Sequence, residues 1–197
     1  MAVRKNSNSH RNQIFEQTRQ LIRERGFNNT SIADIAVGCG LSKASIYHYI
    51  HEKDDLVDMS VQSVQTFFKE NAFNLINSDG LSEDEKVEIL FKTLEQYLKD
   101  YRGGCLVHNL VHELVDAAPK FLELFQNYFS MWLDAISYIL QETHGSEAAR
   151  SIAENIVAQL AGAIMLDRLY CTDKQVKRVK ALTRARVKEK VAAYAEI

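Results

Sequence analysis

Proline occurs once in 197 residues, at Pro119. Proline lacks a backbone donor and clashes with the turn before it, so it interrupts helix interiors. A chain that all but avoids it can be helical throughout. The apolar pattern agrees: Ile14, Phe15, Thr18, Leu21 and Ile22 recur at helical spacing, and no useful stretch alternates with the two-residue period of a strand. The expected fold class is all-α. Hydrophobic residues at 46% and charged residues at 25% are ordinary for a soluble globular chain.

Capping and glycine signals divide the helices. Residues 1–9 read as a frayed polar arm. Gly26 ends the first helix, because glycine accepts the left-handed conformation on which helices stop. A short helix with Ile32, Ile35 and Ala36 on one face follows, capped by Thr30 or Ser31; Ser31 with Asp34 fits a capping box. Gly38–Gly40 breaks the chain, and Ser42 caps a second short helix, Lys43–Tyr49. A long helix at 52–76 comes next, interrupted at Asn77–Gly80. Ser82 with Glu85 opens a helix to Tyr101, and Gly103 and Gly104 break again. The remaining helices are expected at 105–117, 119–143 and from the turn at 144–146 to Cys171, with Thr172 and Gln175 capping the last one. Val176, Val179, Leu182, Val187 and Val191 are its apolar residues.

Two short helices joined by a glycine-containing turn, with a longer helix in front, form the helix-turn-helix pattern. The charge follows suit. Residues 1–50 carry seven Lys/Arg against three Asp/Glu, whereas the whole chain has a net charge of −2. A basic head on an acidic body fits a head that meets phosphates. The second short helix can enter a major groove, with Lys43, Ala44 and Ser45 facing base edges and His48 one turn on. Ala44 is small enough to permit close approach. Ser31 and Ser42 stand at helix N-termini, which favour phosphate. Ile32, Ile35, Ala36, Leu41 and Ile46 form the small core beneath.

The stretch Gly26–Leu56 reads GFNNTSIADIAVGCGLSKASIYHYIHEKDDL. It resembles the TetR family of transcriptional regulators in Gly26, Phe27, Thr30, Ile32, Asp34, Ile35, Ala36, Gly40, Leu41, Ser42, Lys43, Tyr47, Tyr49, Lys53 and Leu56. Ile50 stands where phenylalanine is usual and Cys39 where alanine is common. The resemblance implies phosphate contacts from Thr30, Tyr47, Tyr49 and Lys53, contacts that position rather than specify. It also implies a DNA-binding domain at 1–52 and a helical effector-binding domain at 53–197. The partners implied are double-stranded DNA with a palindromic operator, a small-molecule effector, and a second copy joined through the last two helices. Residues 147–170 agree with that pairing: Ile152, Ile156, Ala163 and Leu166 share overlapping faces, and Ala161–Ala163 are small enough for close helix approach.

In the second half, Gly104, Cys105, Asn109, Leu110, Glu113 and Leu114 resemble a branch of the family with a Gly-Cys-x-x-x-Asn-Leu segment, some members of which sense electrophiles or oxidants; His108 departs from it. Three readings of Cys105 stand side by side. It is a packed or pocket-lining residue, a reactive thiol in the first turn of a helix, or a metal ligand with His108 and His112. Phe91, Tyr97, Asn109, Phe125, Tyr128, Trp132 and Asp167 are candidates to line an effector pocket, although aromatics at helical spacing are more often core. Cys39 and Cys171 read as structural. No cofactor and no catalytic set is expected; a metal carrier built on His108 and His112 lacks the second carboxylate–histidine motif of paired-metal bundles. No segment is apolar enough to span a membrane, the polar first residues lack a signal sequence, and the expected location is the cytoplasm.

Overall fold

The computed structural model describes residues 2–99 and 104–189, with side chains from His10 onward. Among the described residues there is no strand. The helices are α1 Ala2–Arg25, α2 Ile32–Cys39, α3 Lys43–Ile46, α4 Asp55–Phe68, α5 Asn74–Ile76, α6 Glu83–Lys99, α7 Leu106–Leu114, α8 Leu122–His144, α9 Ser146–Tyr170 and α10 Lys174–Lys188. A π-helical turn, Lys69–Phe73, joins α4 to α5, and a 3-10 turn, Pro119–Phe121, precedes α8. The all-α expectation holds. Residues 2–9 are helical rather than a frayed arm; nothing in Ala2–Ser9 breaks a helix, so α1 continues through them. Gly103, Tyr101 and Val191 lie outside the described residues.

The chain divides into two compact units. The first comprises Met1–Gln65 with Cys105–Phe125, and the second Thr66–Gly104 with Gln126–Ile197. In the first, α1 packs on α2 and α7, and α2 on α3. Ile14, Ile22, Ile35, Ile46 and Ile50 are its buried centre. The capping box on α2 forms as expected: Ser31 Oγ accepts from Asp34 N at 3.2 Å, and Asp34 Oδ2 accepts from Ser31 N at 2.9 Å. Gly40 closes α2 at φ +63°. Gly38, expected within the break, stays in α2, where its lack of a side chain makes room for Gln17; a Cβ there would lie 2.2 Å from the Gln17 amide carbon.

In the second unit α10 packs on α9 and α6. Lys180 donates to Glu88 at 2.9 Å, and Arg184 is paired with Asp84. The long helix expected at 52–76 is interrupted by the π turn. Phe68 and Phe73 stand five residues apart, on different faces of an α-helix, but the wider π turn brings them to one side. There Phe68 meets Trp132 edge-on at 4.8 Å between centroids, and Phe73 meets Trp132 at 5.5 Å. The cap on α10 also differs from expectation. Asp167 supplies it, accepting from Gln175 N at 3.0 Å, Val176 N at 2.9 Å and the Thr172 hydroxyl at 2.7 Å. Thr172 is therefore a donor to the capping carboxylate and not the cap itself.

Candidate nucleic-acid interface

The DNA-facing candidates fall on a short, well-supported surface. Ser42 caps α3, its hydroxyl accepting from Ser45 N at 3.0 Å. Ile46 is fully buried beneath, while Ser42, Lys43, Ala44, Tyr47 and His48 are exposed and Ser45 and Tyr49 half-buried. Helix α3 closes at Ile46 instead of Tyr49. The chain tightens there: Tyr49 N bonds Ile46 O at 2.8 Å and His48 N bonds Ser45 O at 3.4 Å, three residues back. This tightening is common where a helix ends.

The expected phosphate contacts divide. Tyr47 is half exposed, at 50%, and carries no hydrogen bond to hold it back from solvent among those described. Tyr49 bonds through its hydroxyl to His10 Nδ1 at 3.3 Å, with the two rings edge to face. Lys53 lies over the Phe27 ring at 4.3 Å and reaches Asn28 O at 3.4 Å. Burial of its ammonium lowers the Lys53 pKa, opposed by the nearby charges of Asp54 and Glu113. Thr30 is a correction. It is 1% exposed and its hydroxyl donates to Gly26 O at 2.8 Å, so it fastens the turn after α1 and offers no donor to solvent. The Ser31 hydroxyl, though exposed, is likewise engaged, donating to Asp34 Oδ2 at 2.5 Å.

That turn is held from a distant part of the sequence. Gly26 adopts φ +86°, and the next two amides, Phe27 N and Asn28 N, donate to the two carboxylate oxygens of Glu113 at 2.9 Å each. A left-handed residue followed by convergent amides makes a small concavity for an anion, and here the α7 side chain fills it.

The sensing candidates are spread over both units. Cys105, Asn109 and Phe125 belong to the first, and Tyr128, Trp132 and Asp167 to the second. Cys105 is the N-cap of α7 and is 2% exposed. Burial disfavours the charged form of His108, but the charge of Cys105 and its hydrogen bond to the imidazole outweigh that, and the His108 pKa is raised. His112 is exposed, and among the described residues no three His, Cys, Asp or Glu side chains converge to hold a metal. The metal reading of Cys105, His108 and His112 is therefore corrected. Phe91, Tyr97, Phe125, Tyr128 and Trp132 are all buried core residues. Cys39 is buried, and burial raises its thiol pKa. Cys171, expected to be structural, is exposed and sits at φ +53° at the end of α9.

Residues 14–58 match the family described as bacterial regulatory proteins, tetR family, and residues 85–182 match the LmrA/YxaF-like transcriptional regulator C-terminal domain of that family. The chain belongs to the TetR family of transcriptional regulators. Among its TetR-family relatives is the HTH-type transcriptional repressor KstR2 of Mycobacterium tuberculosis, 21% identical over 68% of each chain. An uncharacterised HTH-type regulator from the lacX 3′ region of Lactococcus lactis is 26% identical over 82% of this chain and 84% of its own. A TetR transcriptional regulator from Legionella pneumophila shares the fold at a TM-score of 0.80, with 20% identity over 88% of this chain and 94% of its own. No described helix is long and apolar enough to cross a membrane.

Sequence reasoning did not assign roles to His10 or Glu113. His10 is one polar residue in a polar run, and its partner Tyr49 lies 39 positions away. Glu113 stood only as a match within the Cys105 segment. The signal that bears on it is Gly26, whose left-handed conformation marks the turn but not the anion it receives.

Proposed function

We propose that the chain is a homodimeric repressor that holds a palindromic operator and releases it when a small-molecule effector binds or Cys105 is modified. The observation that carries this reading is the surface of α3: Lys43, Ala44, Tyr47 and His48 are exposed together on a turn anchored by the buried Ile46. Lys43 and His48 can address base edges, and Ala44 keeps the helix close to the groove floor. Tyr47, Tyr49 and Lys53 supply hydroxyl and ammonium donors for phosphates, with the N-termini of α2 and α3, at Ser31 and Ser42, adding favourable polarity. Thr30 is left to its structural bond.

A second copy supplies the other half of the palindrome. Met165, Leu169 and Tyr170 on α9 and Leu182 on α10 are large apolar side chains exposed to 56%, 67%, 69% and 49%. Pairing two such helix pairs about a two-fold axis covers them and sets two heads for half-sites one DNA turn, roughly 34–36 Å, apart. The repressive sign is taken from relatives such as KstR2. For the effector, Asp167 borders a cleft of about 550 Å3 also lined by Leu98, Ile164, Arg168 and Val176, a volume in the range of small-molecule sites. Asn109, Phe125, Tyr128 and Trp132 remain secondary candidates because they lie in packed helices. Cys105 stands at the N-cap of α7, the positive end of the helix, beside His108, and is the thiol this reading assigns to modification.

The test is selection of duplexes from a random library followed by gel shift in moderate salt. A palindromic winner, bound with two protomers per duplex, is expected. Failure to enrich any sequence, or binding indifferent to sequence, overturns the proposal.

A further inference from the structure

We infer that Glu113 is a positioning residue for DNA binding: its carboxylate is a resident anion in the Phe27–Asn28 turn and fixes the reading head to α7. The inference rests on the reading of α2 and α3 as the DNA-binding head. Each step of the geometry points the same way. Gly26 at φ +86° turns the chain so that two successive amides converge, and each donates to a different oxygen of one carboxylate at 2.9 Å. Bonds from amides to an ionised acceptor are roughly twice as strong as neutral ones. A side chain at position 26 would displace that carboxylate, because a Cβ there would lie 2.6 Å from Glu113 Oε1. The turn is therefore shaped around an anion, and the anion comes from a residue 86 positions away.

The same turn supports the residues that face DNA. Thr30 bonds back to Gly26 O, Ser31 begins α2 one residue later, and Phe27 is the buried platform under the Lys53 ammonium. Lys53 touches Asn28 O, the carbonyl of the residue whose amide Glu113 holds. Withdrawing Glu113 thus loosens the entry to α2 and the seat of Lys53 in one event. Helix α7 is rigidly connected to the carboxylate and carries Cys105 and His108 at its other end, so a displacement of α7 reaches the head through two hydrogen bonds.

The experiment uses the full chain, its selected duplex, and the variants Glu113→Ala and Glu113→Gln. Binding is followed by fluorescence anisotropy, and hydrogen exchange of the Phe27 and Asn28 amides by NMR. Glu113→Ala withdraws both charge-assisted hydrogen bonds from the turn and is expected to weaken DNA binding about tenfold by loosening the head. Glu113→Gln, which keeps one acceptor, should fall between. Sodium formate, compared with sodium chloride at equal ionic strength, should restore affinity and slow Phe27 and Asn28 exchange in Glu113→Ala only, by refilling the turn with a small carboxylate. Val87→Ala, in the buried core of the second unit and away from the reading head, controls for loss of stability alone. Undiminished binding by Glu113→Ala, unchanged exchange at the two amides, or an equal loss in Val87→Ala at matched melting temperature overturns the inference. If the wild-type chain binds no duplex, the regulator reading falls, and the two amides still decide whether Glu113 holds the turn.

Discussion

Single residues carry the chemistry of the head, and three of them make measurable claims. Asp34 accepts from the Ser31 hydroxyl and amide and pairs with Arg25 at 2.9 Å; these bonds lower its pKa from 3.8 to about 2. A carboxylate whose folded pKa is depressed stabilises the fold fully above its unfolded value, and that contribution is lost as pH falls through the folded value. The Asp34 cap is therefore intact at pH 4 and disappears toward pH 2. Ser31→Ala should return the Asp34 carboxyl resonance, titrated by NMR, toward 3.8; a midpoint that stays near 2 contradicts the capping account. Ala44 makes the complementary claim. Ala44→Leu adds bulk to an exposed face without touching the core, so melting temperature should hold while specific DNA affinity drops at least tenfold. Lys53→Ala should weaken binding to all duplexes alike and flatten the salt dependence by about one unit of slope. These residues also mark how far sequence reached. Ser31 and Asp34 were legible because a capping box is written within four positions. Thr30 was assigned a phosphate although its hydroxyl turns inward; its neighbours along the chain do not reveal that Gly26 O lies within reach.

At the scale of elements, the order of the helices was readable and their interruptions were not. Glycine and serine signals placed Gly40, Ser42, Ser82 and Gly145 at helix boundaries, as the backbone has them. The π turn at Lys69–Phe73 has no local signature. It follows from the demand of Trp132, about sixty positions on, for two phenylalanines on one side, and Thr93 Oγ1 donates to Asn71 O at 3.0 Å within it. Phe68→Ala should cost about 3–5 kcal/mol in chemical denaturation, since Phe68 is fully buried among Tyr97, Phe73 and Trp132. The last helix offers a second case. Asp167 was selected as a ligand group because it interrupts an apolar stretch, yet its carboxylate is met by the Thr172 hydroxyl and by two amides in the first turn of α10. Asp167→Ala should lower stability by about 3 kcal/mol whether or not an effector is present, and a loss confined to effector-bound protein would show instead that the residue serves binding.

For the molecule as a whole, what the sequence conveyed most directly was the class of fold, because proline scarcity and helical spacing act along the whole chain. What it conveyed least was the grouping of segments: residues 105–125 join the N-terminal 65 residues in one compact unit although residues 66–104 intervene. No composition shift marks that junction. The exposed apolar side chains of α9 and α10 bear on assembly. Leu169→Glu is expected to turn a dimer into monomers in sedimentation velocity and to abolish tight operator binding, with the helical signal retained. A variant that stays dimeric places the interface elsewhere.

Cys171 gives this molecule an attachment point of its own. The other two thiols, Cys39 and Cys105, are 6% and 2% exposed, whereas Cys171 is open at the corner between α9 and α10. A bulky maleimide dye will therefore react fastest at Cys171, immediately after Leu169 and Tyr170. Dyes on two copies brought together there would quench or exchange energy, so self-association can be read optically without engineering a cysteine. Its left-handed backbone adds a practical choice. Cys171→Gly removes the handle and relieves the side-chain penalty of that conformation, worth about 1 kcal/mol, giving an unlabelled reference of equal or greater stability.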